Sequence, residues 1–523
     1  MGLSNFEELL LGKFLDPIHG VIRITKLEKK IIDHPLFQRL RDVRQNTFLY
    51  KVFPSAMHSR FEHSVGVMHL SYEILKNLDL NALIYKRKNE DVDLFLDIKK
   101  LPVKLIQELR VAALLHDVGH GPLAHQFDSF ALDKNKFKEK CKTEEVDIYD
   151  KIISLKSNDK KQLSHEQVSC IFIKKIIEDL KNSSEFDDDD TYKRNISDID
   201  TDSIIKIVEK EYEFEDKVDG INIYPLLGSI ISSSPIDADR MDYLLRDSYF
   251  SGVKYGIYDY GRLLMSFIPV KRDDSVYLAY KESGIDSILE FTNARSSLYS
   301  QVYFHKTNRA LSSMLHKACS DSGIDPADVI PLDSSKKVID LMQDFYVKNP
   351  DKKFLEYTLK DKINDMFKKK IIEDIVDRKV WKKIYEKKHT FSSVSLCDDN
   401  DKKYDAKFKI HSEHLIEKIK LIIESYINEK EWTLDFQIED NFKDIKKSKA
   451  LILKKEPDNK YKVFDLSSYN DVLQPYHHIK FFIRVFVRPE IKDDLRSEDK
   501  LDLLNKKIED TVADEVFNFK KTL

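Results

Sequence analysis

Arg60-Phe61-Glu62-His63-Ser64 and, further on, Leu115-His116-Asp117-Val118-Gly119-His120-Gly121-Pro122 decide how this chain is read. The adjacent His116-Asp117 pair can place an imidazole and a carboxylate on one cation. A His from an earlier helix and an Asp from a later one would complete a set suited to a divalent metal that binds phosphate oxygens and activates water. Phe61, Val65, Met68, Tyr72 and Leu75 recur at steps of four, three, four and three, which predicts an amphipathic helix with His63 and Gly66 beside its apolar stripe. Val111-Ala112-Ala113-Leu114-Leu115 is wholly apolar and reads as a buried helix, stopped by Gly119, Gly121 and Pro122. A carboxylate at such a buried end is costly without a partner, so Asp117 calls for a cation.

A His-Asp dipeptide alone says little. Its surroundings say more. His120, His125 and Asp128 follow it closely, Ser164-His165-Glu166-Gln167 comes later, and Asp237 to Asp247 forms a dense polar helix. Asp239, Tyr243 and Asp247 stand at i, i+4 and i+8 and share one face, with Met241, Leu244 and Leu245 available to its buried side. Taken alone, those charges also describe a solvated, salt-bridged face. Each of His120, His125 and His165 alone equally describes an ordinary buried histidine.

In combination, these blocks resemble the HD-domain phosphohydrolase superfamily, and more closely its dNTP triphosphohydrolase branch, which includes SAM-and-HD-domain dNTPases. The similarity runs from Asp16-Pro17-Ile18-His19-Gly20 through Phe37-Gln38-Arg39-Leu40-Arg41, Phe53-Pro54 and the two stretches quoted first to Tyr303-Phe304-His305-Lys306, and returns near Ile483-Arg484-Val485-Phe486. Only a short segment precedes Asp16, so no SAM domain is expected ahead of it. The resemblance implies a mainly α fold: an HD-domain helical core over 1–325, with surface excursions at 131–163 and 183–203, and a smaller α+β region over 326–523 that contributes oligomer contacts.

The resemblance also implies site roles. The metal ligands fall on His63, His116, Asp117 and Asp239. Iron, manganese, zinc and nickel all tolerate that set, with magnesium accompanying the nucleotide. A metal-activated water attacks the α-phosphorus of a nucleoside triphosphate, giving a nucleoside and intact triphosphate. His120, His125 and His165, with Asp128 and Glu166, match the catalytic group. His125 is the expected acid for the departing 5′ oxygen, with His120 and His165 on phosphate oxygens. Arg60, Arg240, Arg295, Tyr243, Tyr299 and Tyr303 match phosphate or sugar contacts, and the last helix presents Arg295, Tyr299 and Tyr303 at i, i+4 and i+8. Gln45 and Asp247 match a pair that hydrogen-bonds the sugar 3′ hydroxyl.

Three departures stand out. Arg240 replaces the usual Lys, Tyr299 stands where a relative has His, and Asn46 follows Gln45 where a relative has Leu. Asn46 can hydrogen-bond a 2′ hydroxyl, which predicts weaker exclusion of ribonucleotides. Asp33, Gln38 and Arg41 match contacts to an activating nucleotide between subunits of a dimer or tetramer. An Asp33–Arg41 ion pair is the plainer alternative for those two.

Composition sets the frame. The 523 residues are 41% hydrophobic and 34% charged, enough for one large core with an appended subdomain. Lys+Arg 87 against Asp+Glu 91 gives a net charge of −4, with no basic excess demanding nucleic acid. Cys141, Cys170, Cys319 and Cys397 are scattered, without metal-ribbon or disulfide spacing. The N-terminus lacks a leader pattern and no apolar run is long enough to span a membrane, so a cytoplasmic protein is expected. Two other readings remain: an HD phosphohydrolase acting on a cyclic nucleotide or a nucleic-acid end, and a nucleotide or nucleic-acid-binding regulator with weak catalysis.

Overall fold

Ser59 accepts a hydrogen bond from its own helix's first turn, while the Glu62 side chain returns to the Ser59 N–H. This capping box starts the helix Arg60–Arg87 at the first ligand block. The computed structural model describes residues 2–522 except 89, 91, 142–148, 156–160, 184–194, 320–328, 332–335, 393–400, 442–444, 446–449, 458–459, 470–472 and 474–475. The acidic run 187–190, Cys397 and the turn residues Asp458-Asn459 lie outside the described residues. Cys141, Cys170 and Cys319 are not joined in disulfides.

The chain is mainly α, as the sequence predicts. It forms two compact units. The first comprises 1–294, 324–362 and 448–466, and so takes two stretches from the C-terminal region. Its helices include Arg60–Arg87, Val103–Leu115, His165–Lys181 and Ala238–Ser251. Its four-stranded sheet pairs Ser275–Lys281 antiparallel with Phe267–Arg272 and parallel with Leu451–Lys455, which in turn pairs with Tyr461–Asp465. Leu451–Lys455 and Tyr461–Asp465 pair antiparallel, and Leu451 and Leu453 bury against Ile268, Val270 and Ala279. Within 131–163, Phe137, Ile152 and Leu163 are buried, so part of this lysine-rich stretch belongs to the core.

The second unit comprises 295–323, 363–447 and 467–523. Its antiparallel sheet places His478–Val487 between Lys382–Ser392 and Trp432–Asp440. Ile419, Ile423, Ile483, Val485, Leu504 and Ile508 form its core. Among the described residues, no helix is long and apolar enough to cross a membrane.

Candidate metal centre and active site

Four helices of the first unit deliver the polar cluster. The Val103–Leu115 helix, buried along most of its length, ends at His116 and Asp117. The Ala238–Ser251 helix is capped by Asp237, which accepts the Arg240 N–H, and stops at Gly252, whose φ of +70° closes its C-terminus. Ser164 caps the His165–Lys181 helix in a capping box with Gln167, fixing His165 and Glu166 in its first turn. With the Arg60–Arg87 helix, these bring His63, His116, Asp117 and Asp239 together.

Ligand atoms of His63, His116 and Asp117 lie within 4.8 Å of one another. Asp239 Oδ1 is 3.0 Å from His63 Nε2 and 3.8 Å from His116 Nε2. Both imidazoles are oriented from behind. His63 Nδ1 donates to Asp242 at 2.8 Å, and His116 Nδ1 donates to the Ala113 carbonyl at 2.8 Å. This fixes the tautomer and leaves both Nε2 atoms buried without hydrogen-bond partners and turned into the cluster. Burial opposes charge on His63, yet the neighbouring carboxylates of Asp239 and Asp242 push it up to about 10. His116 is raised against the same burial by Asp117 and Asp239. The pocket demands positive charge, and a divalent ion on the two Nε2 atoms, Asp117 and Asp239 meets that demand.

Behind the ligands stands Asp242, fully buried and absent from the sequence-based site. Besides His63, it accepts His19 Nε2 at 2.7 Å and Arg246 through Nε at 2.8 Å and Nη2 at 2.9 Å. Arg246 Nη1 continues to Asp16 at 2.8 Å. Burial resists ionisation of Asp242, but Arg246, His19 and His63 hold it well below the usual carboxylate range. The signal was present in the sequence: Asp242 lies four residues before Arg246, and Asp16 and His19 belong to a motif already singled out. Gly66 is what lets the two helices approach here. A Cβ at Gly66 would stand 2.0 Å from Asp242 Oδ1 and 2.6 Å from Arg246 Nη2. Gly66→Ala is expected to destabilise the fold by about 1–3 kcal/mol through overpacking, although alanine is the better helix former by ~1 kcal/mol. A denaturant midpoint that rises in this variant would contradict the close contact.

A second cluster lies beside the first. His120, His125, Asp128 and His165 also have ligand-type atoms within 4.8 Å of one another. His120 and His165 stack at 3.9 Å, and His120 Nε2 is 3.4 Å from Asp117 Oδ1. Burial, together with Arg60 and His165, holds His120 well below the usual histidine range, so its ring is neutral. His165 is raised despite burial, because Asp128 lies 3.3 Å from Nδ1 and Glu166 3.2 Å from Nε2. His125 is exposed and 3.8 Å from Asp128. The turn before it is strained: Leu123 and Ala124 have φ of +63° and +50°, a left-handed conformation that costs roughly 1–2 kcal/mol per non-glycine residue.

The remaining residues fall as follows. Arg60 is buried and paired with Asp117. Gln45 is buried and its N–H donates to the His58 carbonyl. Asp247 accepts His58 Nε2 at 2.6 Å and Asn46 Nδ2 at 3.0 Å, so Asn46 stands at the predicted sugar-binding carboxylate. Arg240 folds back onto Asp237 and the Ser233 carbonyl. Tyr243 is one turn beyond Asp239 on the same helix. Arg295, Tyr299 and Tyr303 belong to the second unit. The α-helix expected to carry all three ends at Leu298, and residues Tyr299–Tyr303 wind as a wider π-helical turn. The three side chains still meet. The Arg295 guanidinium lies 4.5 Å over the Tyr299 ring, which is 4.7 Å from that of Tyr303. Asp33 pairs with Lys29 at 2.6 Å, which replaces the alternative of an Asp33–Arg41 ion pair. Arg41 instead donates to Gln38 at 2.9 Å and covers the Phe61 ring. Lys29 wins because it sits one helical turn from Asp33.

The chain is similar in sequence to known proteins. A model of the HD domain matches residues 60–247. An uncharacterized protein of Methanocaldococcus jannaschii is 32% identical over 303 residues, 58% of this chain and 48% of that protein. The deoxynucleoside triphosphate triphosphohydrolase SAMHD1 of Danio rerio is 29% identical over 322 residues, 60% of this chain and 46% of that protein. The Bos taurus protein of the same name is 28% identical over 407 residues, 74% of this chain and 60% of that one. The chain thus spans about half the length of the first two. In fold, it is similar to a crystal structure of a hypothetical protein from Aquifex aeolicus, with a TM-score of 0.58 and 23% identity over 93% of this chain and 99% of that one.

Proposed function

We propose that this chain, which carries an HD domain and resembles the dNTPase-like branch of the HD-domain phosphohydrolases, hydrolyses nucleoside triphosphates to nucleoside and triphosphate. The observation that carries the reading is the pair of buried Nε2 atoms of His63 and His116, oriented from behind and facing Asp117 and Asp239. A divalent metal held there supplies phosphoryl polarisation and activation of water; magnesium accompanies the nucleotide.

The chain's own residues do the rest. Asp242 keeps the His63 ring in one tautomer, and Ala113 does so for His116. His165, whose protonation its carboxylate neighbours favour, offers a proton on nitrogen to a phosphate oxygen. His120, neutral and stacked on His165, donates without adding a second charge. His125 reaches open space from a rigid turn and gives its proton to the departing 5′ oxygen, with Asp128 restoring its orientation. Arg60 shifts between Asp117 and substrate phosphate, and Arg240 and Tyr243 provide further phosphate and sugar contacts. Gln45 and Asp247 bind the sugar hydroxyl. Asp33, Gln38 and Arg41 contact an activating nucleotide in a homo-oligomer.

Ion-exchange separation of products from each dNTP and NTP tests this. Nucleoside and inorganic triphosphate in equal amounts are expected. Release of pyrophosphate or monophosphate would place the chemistry on another phosphoester. Because Asn46 already hydrogen-bonds Asp247, GTP turnover within about tenfold of dGTP is expected, a difference worth no more than ~1.4 kcal/mol. Undetectable GTP cleavage would reject the assignment of Asn46.

A further inference from the structure

Both carboxylate oxygens of Asp351 are spent on backbone groups beside the candidate site. Oδ1 accepts the Leu123 N–H at 2.7 Å, and Oδ2 accepts the Arg44 N–H at 2.9 Å. Arg44 bridges to Ser59, while the neighbouring Gln45 and Arg60 N–H groups bond to the carbonyls of His58 and Val43. Leu123 opens the left-handed turn that leads to His125. Its carbonyl is held as well, by the Thr47 hydroxyl at 2.8 Å. A strained residue thus has both of its backbone polar groups fixed by side chains, which is what keeps such a conformation in place.

The chain around Asp351 also backs this turn. Phe127 packs its ring against Phe345, Tyr346 and Phe354, with centroids 6.1, 5.5 and 5.3 Å away. Arg39 covers the Tyr346 ring at 4.9 Å and donates to the Val118 carbonyl at 2.5 Å. The segment 345–354 therefore forms an apolar wall behind the loop, and Asp351 is its polar clamp.

We infer that Asp351 is a positioning residue: it joins the turn that presents His125 to the Arg44–Gln45 edge of the site and sets the reach of His125 without touching substrate. This rests on the proposal that His125 acts in turnover. It concerns a residue 228 positions from Leu123 in sequence.

Asp351→Asn keeps the shape but replaces one acceptor oxygen with an NH2 group, so one of the two N–H groups loses its partner. Turnover by the full chain should fall about tenfold to a hundredfold through misplacement of His125, with KM nearly unchanged. Hydrogen–deuterium exchange of the peptide spanning Gly119–Phe127 should accelerate. In a His125→Ala background, Asp351→Asn should cause no further loss of kcat. Wild-type kcat in Asp351→Asn, or an equal fractional loss in both backgrounds, would overturn the inference. If His125→Ala alone leaves turnover unchanged, the assignment of His125 fails and takes this inference with it, a result distinct from either of the others. Should Asp351→Asn not fold, Thr47→Val removes the donor to the Leu123 carbonyl. The same kcat loss confined to the His125 background is then expected, and an unaltered kcat would count against the clamp.

Discussion

Replacing His116 and Asp117 together by alanine is expected to abolish nucleoside triphosphate hydrolysis. The pair supplies one of the two inward Nε2 atoms and the carboxylate that faces both His63 and His120. Without them, His63 and Asp239 remain too few to hold a divalent ion against water. A metal held there would supply several kcal/mol of transition-state stabilisation, so the rate should drop on the order of 10³-fold or more. His116 and Asp117 sit at a helix end, so the helix itself is kept, while the loss of the buried Arg60's carboxylate partner lowers stability. Circular dichroism together with a steady-state assay checks both halves. Residual wild-type rates in a folded double variant would contradict the site.

The second large effect belongs to Asp242. Asp242→Ala removes the acceptor of Arg246, His19 and His63 at once. Arg246 is fully buried and, among the described residues, keeps Asp16 at 2.8 Å as its carboxylate partner. Removing one partner of a buried charged network typically costs about 3–5 kcal/mol, because the remaining charge is left uncompensated. Urea unfolding should show that loss. Asp242→Asn, which conserves volume, should retain more stability but still weaken metal binding by about 10–100-fold, since the His63 ring is no longer held by a carboxylate. A stability change below about 1 kcal/mol for Asp242→Ala would mean the network is solvated and unimportant.

The candidate ligand set was legible as a cluster because each member carries a strong local sign: a His beside an apolar stripe, a His-Asp pair at the end of an apolar run, an Asp in a polar helix. The residues behind it were less so. Asp242 hid in the same helix as Asp239, where the i, i+4, i+8 spacing drew attention to the face holding Tyr243 and Asp247. His58, which orders Asp247, sits in the short segment before Ser59 without periodicity to mark it. Asp351 stands in Pro350-Asp351-Lys352-Lys353, a composition that reads as a solvated turn; only tertiary packing reveals its two backbone partners. The π-helical turn at Tyr299–Tyr303 likewise leaves no pattern, since an α-helix with the same side chains would stack Arg295, Tyr299 and Tyr303 almost as well. The strand Lys382–Ser392 is masked by its charges, because one face of a sheet can carry lysines while Ile384, Tyr385 and Phe391 are buried.

Two clusters of side chains that could ligate a metal lie side by side in the first unit, and the proposed ion belongs to only one of them. Crystals grown with manganese and measured for anomalous scattering separate the two. The predicted result is a peak about 2.0–2.2 Å from His63 Nε2, His116 Nε2, Asp117 and Asp239. A peak on His120, His125 and His165 instead, or none at all, would contradict it.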